Sequence, residues 1–202
     1  MIVETAMASI QSVPFAARDL PHLQDVAGVE FVNGQILEKP VSIDSSEIEL
    51  IVGSLLRVAA AKTGNARVFP SSMGFQCFPD DPAKFRKPDV SVVRSQRMAG
   101  IDPRSGFLRI PPDLAVEVLS PNDLAYDISE KVEDYLQNGF DLIWVIDPAT
   151  RTVMVRTSQG AVFLHEQDEI TAAPIPEFRC RVAEFFPPRH EVAPTSSAAG
   201  PR

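Results

Sequence analysis

Two extended segments each carry a carboxylate into apolar surroundings, and that pairing constrains the chain more than any other feature. Lys87-Pro88-Asp89-Val90-Ser91-Val92-Val93 reads as a short buried strand with Asp89 at its start, and Pro112-Asp113-Leu114-Ala115-Val116-Glu117-Val118-Leu119 as a second with Glu117 inside it. Taking an ionised carboxylate out of water is costly unless a cation or good hydrogen bonds compensate. Two such groups on neighbouring strands therefore require a compensating charge, and a divalent metal ion is the expected one. Asp89 after Pro88 also fits an ordinary turn residue. Glu117 is harder to treat as incidental, because Leu114, Ala115, Val116, Val118 and Leu119 surround it.

The elements around this pair follow from local pattern. Residues 1–27 are weakly patterned and read as an arm or short helix. Gly28 to Lys39 reads as a hairpin, since Asn33-Gly34 tolerates the positive φ angles of a tight turn. Asp44 to Lys62 is a helix with Ile48, Ile51, Val52, Leu55 and Ala59 on one face, its start marked by Ser46 with Glu49 three later. Ala66 to Phe78 is strand-like but interrupted by Gly74, and the glycines and prolines between Arg94 and Pro112 exclude regular structure throughout that connection. A helix follows from Ile128 to Asn138, with Ile128, Val132, Tyr135 and Leu136 on one face and Gly139 as its C-cap. Asp141 to Asp147 is an apolar strand. Strand, helix and strand in succession make it the parallel neighbour of the Glu117 strand through a right-handed crossover. Thr152 to Arg156 and Ala161 to His165 form an antiparallel pair, and Val182 to Phe186 a last amphipathic piece. Pro187 to Arg202, rich in Pro, Ser and Ala, reads as a disordered tail. The folded unit is thus a single domain, 28–186, of mixed α/β (α+β) type.

At 202 residues with 45% apolar and 23% charged side chains, the chain supports one substantial core. No apolar run is long enough to span a bilayer, and the start lacks the pattern of a secretory signal, so the expectation is a cytoplasmic protein with Cys77 and Cys180 as reduced thiols. His22, His165 and His190 form no spacing pattern. The net charge of −8 opposes simple nucleic-acid binding. Its distribution is uneven. From Lys84 to Arg109 seven basic residues face only Asp89 and Asp102, and from Pro111 to Thr150 nine acids face only Lys131. That is either a basic rim beside an acidic pocket, as a phosphodiester held over a metal requires, or an ordinary solvated loop.

Lys87-Pro88-Asp89, Glu117-Val118-Leu119-Ser120-Pro121, Tyr126-Asp127, Glu130-Lys131, Tyr135, Gly139 and Trp144-Val145-Ile146-Asp147-Pro148, in this order, resemble the bacterial Uma-two family. That family belongs to the restriction-endonuclease-like superfamily, named for a Pro-Asp followed by (Asp/Glu)-x-Lys. Glu30-Phe31-Val32-Asn33-Gly34 resembles the family's early hairpin, and the likeness spans roughly Gly28 to Pro187. It implies a restriction-endonuclease-like fold: a mixed central β-sheet flanked by helices, with an N-terminal hairpin. One departure matters. The superfamily lysine would fall at Leu119, whereas the Uma-two pattern carries it on the following helix, where Lys131 stands. Taken alone, Lys131 also fits a lysine with buried stem and solvated head, or a partner of Asp127 or Asp134.

The resemblance implies a chemistry. Asp89, Glu117 and the Val118 carbonyl offer hard oxygens to Mg2+ or Mn2+, and Lys131 orients water or offsets transition-state charge. Glu47 and Glu30 are candidates for a third acid, although each also reads as an ordinary surface or hairpin residue; Lys87, Arg86 and Arg94 are candidates for substrate contact. The expected activity is hydrolysis of phosphodiester bonds, in DNA rather than RNA, with a homodimer for cutting both strands. The alternative is a nuclease fold without catalysis acting as an interaction or regulatory module, which the missing lysine at 119 and the acidic total charge favour.

Overall fold

Asn33 and Gly34 both adopt positive φ, 51° and 77°, and so fold β1 (Val29–Val32) back onto β2 (Gln35–Glu38). The computed structural model describes residue 26 and residues 28–188; nearly all of the expected N-terminal arm and of the expected disordered tail, with His22 and His190, lie outside the described residues. The helix α1 (Ile43–Thr63) follows the hairpin. Its N-terminus is closed by Ser42 and Ser45 in a reciprocal capping box, not by the expected Ser46 and Glu49, because the helix starts one turn before the residue that pairing requires. Gly64 at φ 68° closes the other end.

Next come β3 (Ala66–Pro70), β4 (Gly74–Phe75), β5 (Val90–Arg94), β6 (Phe107–Leu108) and β7 (Leu114–Val118). The Arg94–Pro112 connection is therefore more regular than expected. Ser95–Met98 forms a single 3-10 turn, and Phe107–Leu108 pairs in parallel with Gly74–Phe75. The helix α2 (Ala125–Gln137) begins three residues before its predicted start, and its N-cap position, Leu124, makes no side-chain hydrogen bond. Then follow β8 (Ile143–Asp147), β9 (Thr152–Thr157), β10 (Gly160–Leu164), and a hairpin of β11 (Glu169–Ala172) and β12 (Ile175–Arg181) that the sequence pattern did not reveal. A 3-10 turn, Val182–Phe185, takes the place of the amphipathic terminal piece.

Six strands form the central sheet in the order β10-β9-β8-β7-β5-β3, antiparallel except for the β7–β8 pair that α2 connects. This is a mixed α+β architecture, mostly antiparallel. Side chains alternate between sheet faces with period two. Val90, Val92, Leu114, Val116, Val118, Trp144 and Ile146 face α1 and the β11–β12 hairpin, in one hydrophobic core. Val93, Ala115, Ile143 and Val145 face the other way, against Val132, Tyr135 and Phe140. Glu117 shares the parity of Ala115, so it is aimed at α2. The N-terminal hairpin is tied to the body by reciprocal backbone hydrogen bonds between Phe31 and Phe85 of 3.1 and 2.9 Å, with Phe31, Phe85 and Val29 as a third small core. Among the described residues no helix is long and apolar enough to cross a membrane.

Candidate active site

In the antiparallel pairing of β5 with β7, Val90 stands opposite Val116, so one further step of the register brings Asp89 beside Glu117. Both are buried. Asp89 Oδ2 accepts the Val118 N–H at 2.7 Å, which fixes the carboxylate and turns Oδ1 outward. Glu117 is gripped from α2. Tyr135 Oη donates to Oε1 at 2.8 Å and Lys131 Nζ to Oε2 at 2.9 Å. These two helix residues are four apart and therefore share a face.

The two carboxylates meet at Lys39, the residue that follows β2. Its Nζ lies 2.5 Å from Asp89 Oδ1 and 3.4 Å from Glu117 Oε2, and donates to the Lys87 carbonyl at 2.9 Å. Glu30 of β1 completes the cluster: Oε1 accepts the Lys87 N–H at 2.8 Å and faces Lys131 Nζ at 3.0 Å, while Oε2 accepts from Arg86 Nη1 at 3.0 Å. Arg86 continues to Asp134 Oδ2 at 3.2 Å, and Asp134 Oδ1 takes Lys84 at 2.5 Å. At the centre, Glu30, Asp89 and Glu117 thus face Lys39, Lys131 and Arg86, three charges of each sign.

The charge states follow from this geometry. Burial alone would raise the Glu30 pKa, but Lys131, Lys39 and Arg86 outweigh it and hold the carboxyl at about 2. Burial would lower the Lys39 pKa, yet Glu117, Asp89 and Glu30 raise it above the ordinary lysine value. Burial, reinforced by Glu117 and Glu30, pushes the Tyr135 phenol well above its usual range. Glu30 therefore works as an ion, and Tyr135 as a neutral donor.

A cavity of about 850 Å3 opens over Asp89, Glu117, Lys131 and Lys39, and Glu38, Glu49, Asp123, Asp127 and Glu130 also line it. The donor set at its floor fits a hard divalent cation: two carboxylate oxygens and one carbonyl oxygen already surround a single positively charged atom.

The fold thus gathers Asp89, Glu117, Lys131 and Glu30. Glu47 lies on the exposed side of α1 and does not line the cavity. Val118 contributes its N–H to Asp89, and the carbonyl facing the cation position is that of Lys87. The first three members of the basic run, Lys84, Arg86 and Lys87, are internal. Lys87 is fully buried with Nζ donating to the Val26 carbonyl, Arg86 is committed to Glu30 and Asp134, and Arg94 and Arg97 hold Asp113. Sequence reasoning missed Lys39 and took Tyr135 for core packing. One signal was available: Lys39 is the one Lys or Arg between Arg18 and Arg57.

Comparison with known proteins identifies the family and the fold. Residues 18–183 match a family described as "Uma2: Putative restriction endonuclease". A crystal structure of "a putative nuclease belonging to DUF820" from Anabaena variabilis superposes with a TM-score of 0.72 at 21% identity, covering 86% of this chain and 98% of that chain, and so shares its fold. Among curated proteins none matches. With most of its length matched by that family and its fold shared with a nuclease-like relative, the chain belongs to the Uma2 family of restriction-endonuclease-like proteins.

Proposed function

We propose that the protein is a Mg2+- or Mn2+-dependent endonuclease hydrolysing phosphodiester bonds in DNA, with Asp89, Glu117 and Lys131 at its catalytic centre. The observation that carries this reading is the convergence of Asp89 Oδ1 and Glu117 Oε2 on one cation position at the floor of an open cavity. Asp89 and Glu117 would hold the ion, with the Lys87 or Val118 carbonyl as a third oxygen. When bound, such an ion polarises a phosphoryl oxygen and acidifies a water molecule. The remaining roles belong to the protein. Tyr135 occupies Glu117 Oε1 and leaves Oε2 for the site, and the Val118 N–H does the same for Asp89. Lys131 sits on Glu117 Oε2, where its ammonium orients a water or offsets developing negative charge. Glu30 anchors Lys131 and Arg86 on either side. Cleavage of both strands would engage two copies of the chain.

The test is nicking of supercoiled DNA, and degradation of single-stranded RNA, in Mg2+, in Mn2+ and in EDTA, by the parent and by Asp89→Asn, Glu117→Gln and Lys131→Met. Metal-dependent cleavage of DNA lost in folded variants is expected; variants that cut as fast as the parent would refute the mechanism. A second reading, a nuclease fold without catalysis, is favoured by the internal charge balance of the site, by the acidic lining and by Leu119 in place of lysine. Under that reading Mn2+ leaves the parent's melting temperature unchanged.

A further inference from the structure

Lys39 is the charged side chain at the centre of the site to which the proposed chemistry gives no role. Its ammonium stands where the cation is needed, touching Asp89 Oδ1 at 2.5 Å and Glu117 Oε2 at 3.4 Å. Magnesium binds oxygen at about 2.0–2.1 Å, so an ion on those same two oxygens and the ammonium cannot occupy that space together. We propose that Lys39 is a built-in counter-ion holding the divalent-cation position, that the ion binds by displacing it, and that the lysine thereby sets how tightly this site takes metal. The inference rests on the metal-binding reading above and assigns a residue that reading leaves unused.

Three observations support displacement over a fixed ion pair. The first is charge: with Lys39 in place the centre is neutral, three carboxylates against three cations, so an ion added to the intact set would leave two excess positive charges in a buried site, against one if Lys39 leaves. The second is access. The Lys39 backbone is pinned by its N–H to the Gly28 carbonyl at 2.8 Å, but its four-carbon arm enters the site from the cavity side, and Lys39 lines that cavity. The third is contrast with the other two cations. Lys131 bridges Glu30 and Glu117, and Arg86 bridges Glu30 and Asp134, so each keeps an anionic partner that is not a ligand of the ion. Both carboxylate partners of Lys39 are ligands of the ion.

The experiment measures metal binding rather than cleavage. Mn2+ is titrated calorimetrically into the parent, Lys39→Met and Lys39→Gln, and on the parent the reactivity of each lysine toward an acylating reagent is followed by mass spectrometry with and without saturating Mn2+. Removing a like charge from the edge of the site is expected to tighten Mn2+ binding by about tenfold or more. In the parent, Lys39 acylation rises with Mn2+ while Lys131 acylation does not. Equal affinities in parent and folded variants, or Lys39 reactivity indifferent to bound Mn2+, overturn the inference and leave the metal site standing. No Mn2+ binding by parent or variants overturns the metal site and the inference with it. Should the variants fail to fold, the acylation pattern of the parent decides.

Discussion

Replacing Glu30 with glutamine tests the electrostatic frame of the site without touching either of its proposed metal ligands. A carboxyl held at about 2 in the folded protein against 4.5 when unperturbed contributes roughly 3 kcal/mol of stability, at about 1.36 kcal/mol per tenfold change in proton affinity. Because the folded value is the depressed one, that stability is present above pH 4.5 and is lost as the pH falls from there toward 2. Glutamine resembles the protonated acid in shape and lacks its charge, leaving Arg86 and Lys131 each with one counter-ion fewer. The expected result is a Glu30→Gln protein less stable than the parent by roughly 3 kcal/mol at neutral pH, with less than half of that difference left at about pH 3. Urea unfolding across this range reads it directly. The chain has a single tryptophan, Trp144, fully buried between Phe178 and Phe185, so its fluorescence reports the core without ambiguity. A stability difference that stays constant from pH 7 to 3, or is absent at pH 7, would refute the assignment of Glu30 as the ionised hub.

Tyr135→Phe removes a buried donor from Glu117 Oε1 and is expected to cost about 1.5–3 kcal/mol, the range for a hydrogen bond to a charged group, read as a lower melting temperature. In the parent, tyrosinate absorbance at 295 nm from Tyr135 appears only with alkaline unfolding, because burial and two nearby carboxylates hold the phenol protonated. Leu56→Ala opens a cavity between α1 and the sheet, where Leu56 is fully buried, and is expected to cost about 2–5 kcal/mol in urea unfolding without changing Mn2+ affinity. Gly74→Ala would place a methyl against the Phe107 ring, which packs on Phe85 with centroids 4.8 Å apart; it is expected to cost about 1–3 kcal/mol, and an unchanged melting temperature would count against that packing.

Much of the fold is legible in local pattern because the relevant forces act over a few residues. Asn33-Gly34 demands two positive φ angles, so the hairpin could be placed to within a residue. The apolar rows of α1 and α2 reveal their buried faces, and strand-helix-strand order alone requires the parallel β7–β8 pair. Where a signal is not local, the reading failed. The β11–β12 hairpin follows no tight-turn dipeptide, and its Ile170, Ala172, Ile175 and Phe178 make sense only as the cover over Trp144. The Ser46–Glu49 capping box lost to Ser42–Ser45 because several hydroxyl residues compete at that terminus and the helix starts one turn earlier.

In the site, the sequence alone pointed to two of the three carboxylates that are buried together. Asp89 and Glu117 sit in apolar strands, and desolvation forces such groups to find a counter-charge whatever the rest of the chain does. Which charge answers them was decided by the tertiary structure. Lys39 lies fifty residues from Asp89 and seventy-eight from Glu117, and Glu30 fifty-six from Arg86. No periodicity links positions so far apart; the backbone hydrogen bonds between Phe31 and Phe85 bring the hairpin, and with it Glu30 and Lys39, over the carboxylates. The same closure turned Lys84 and Arg86 inward, onto Glu30 and Asp134, where a count of charges along the chain had seen an open basic rim.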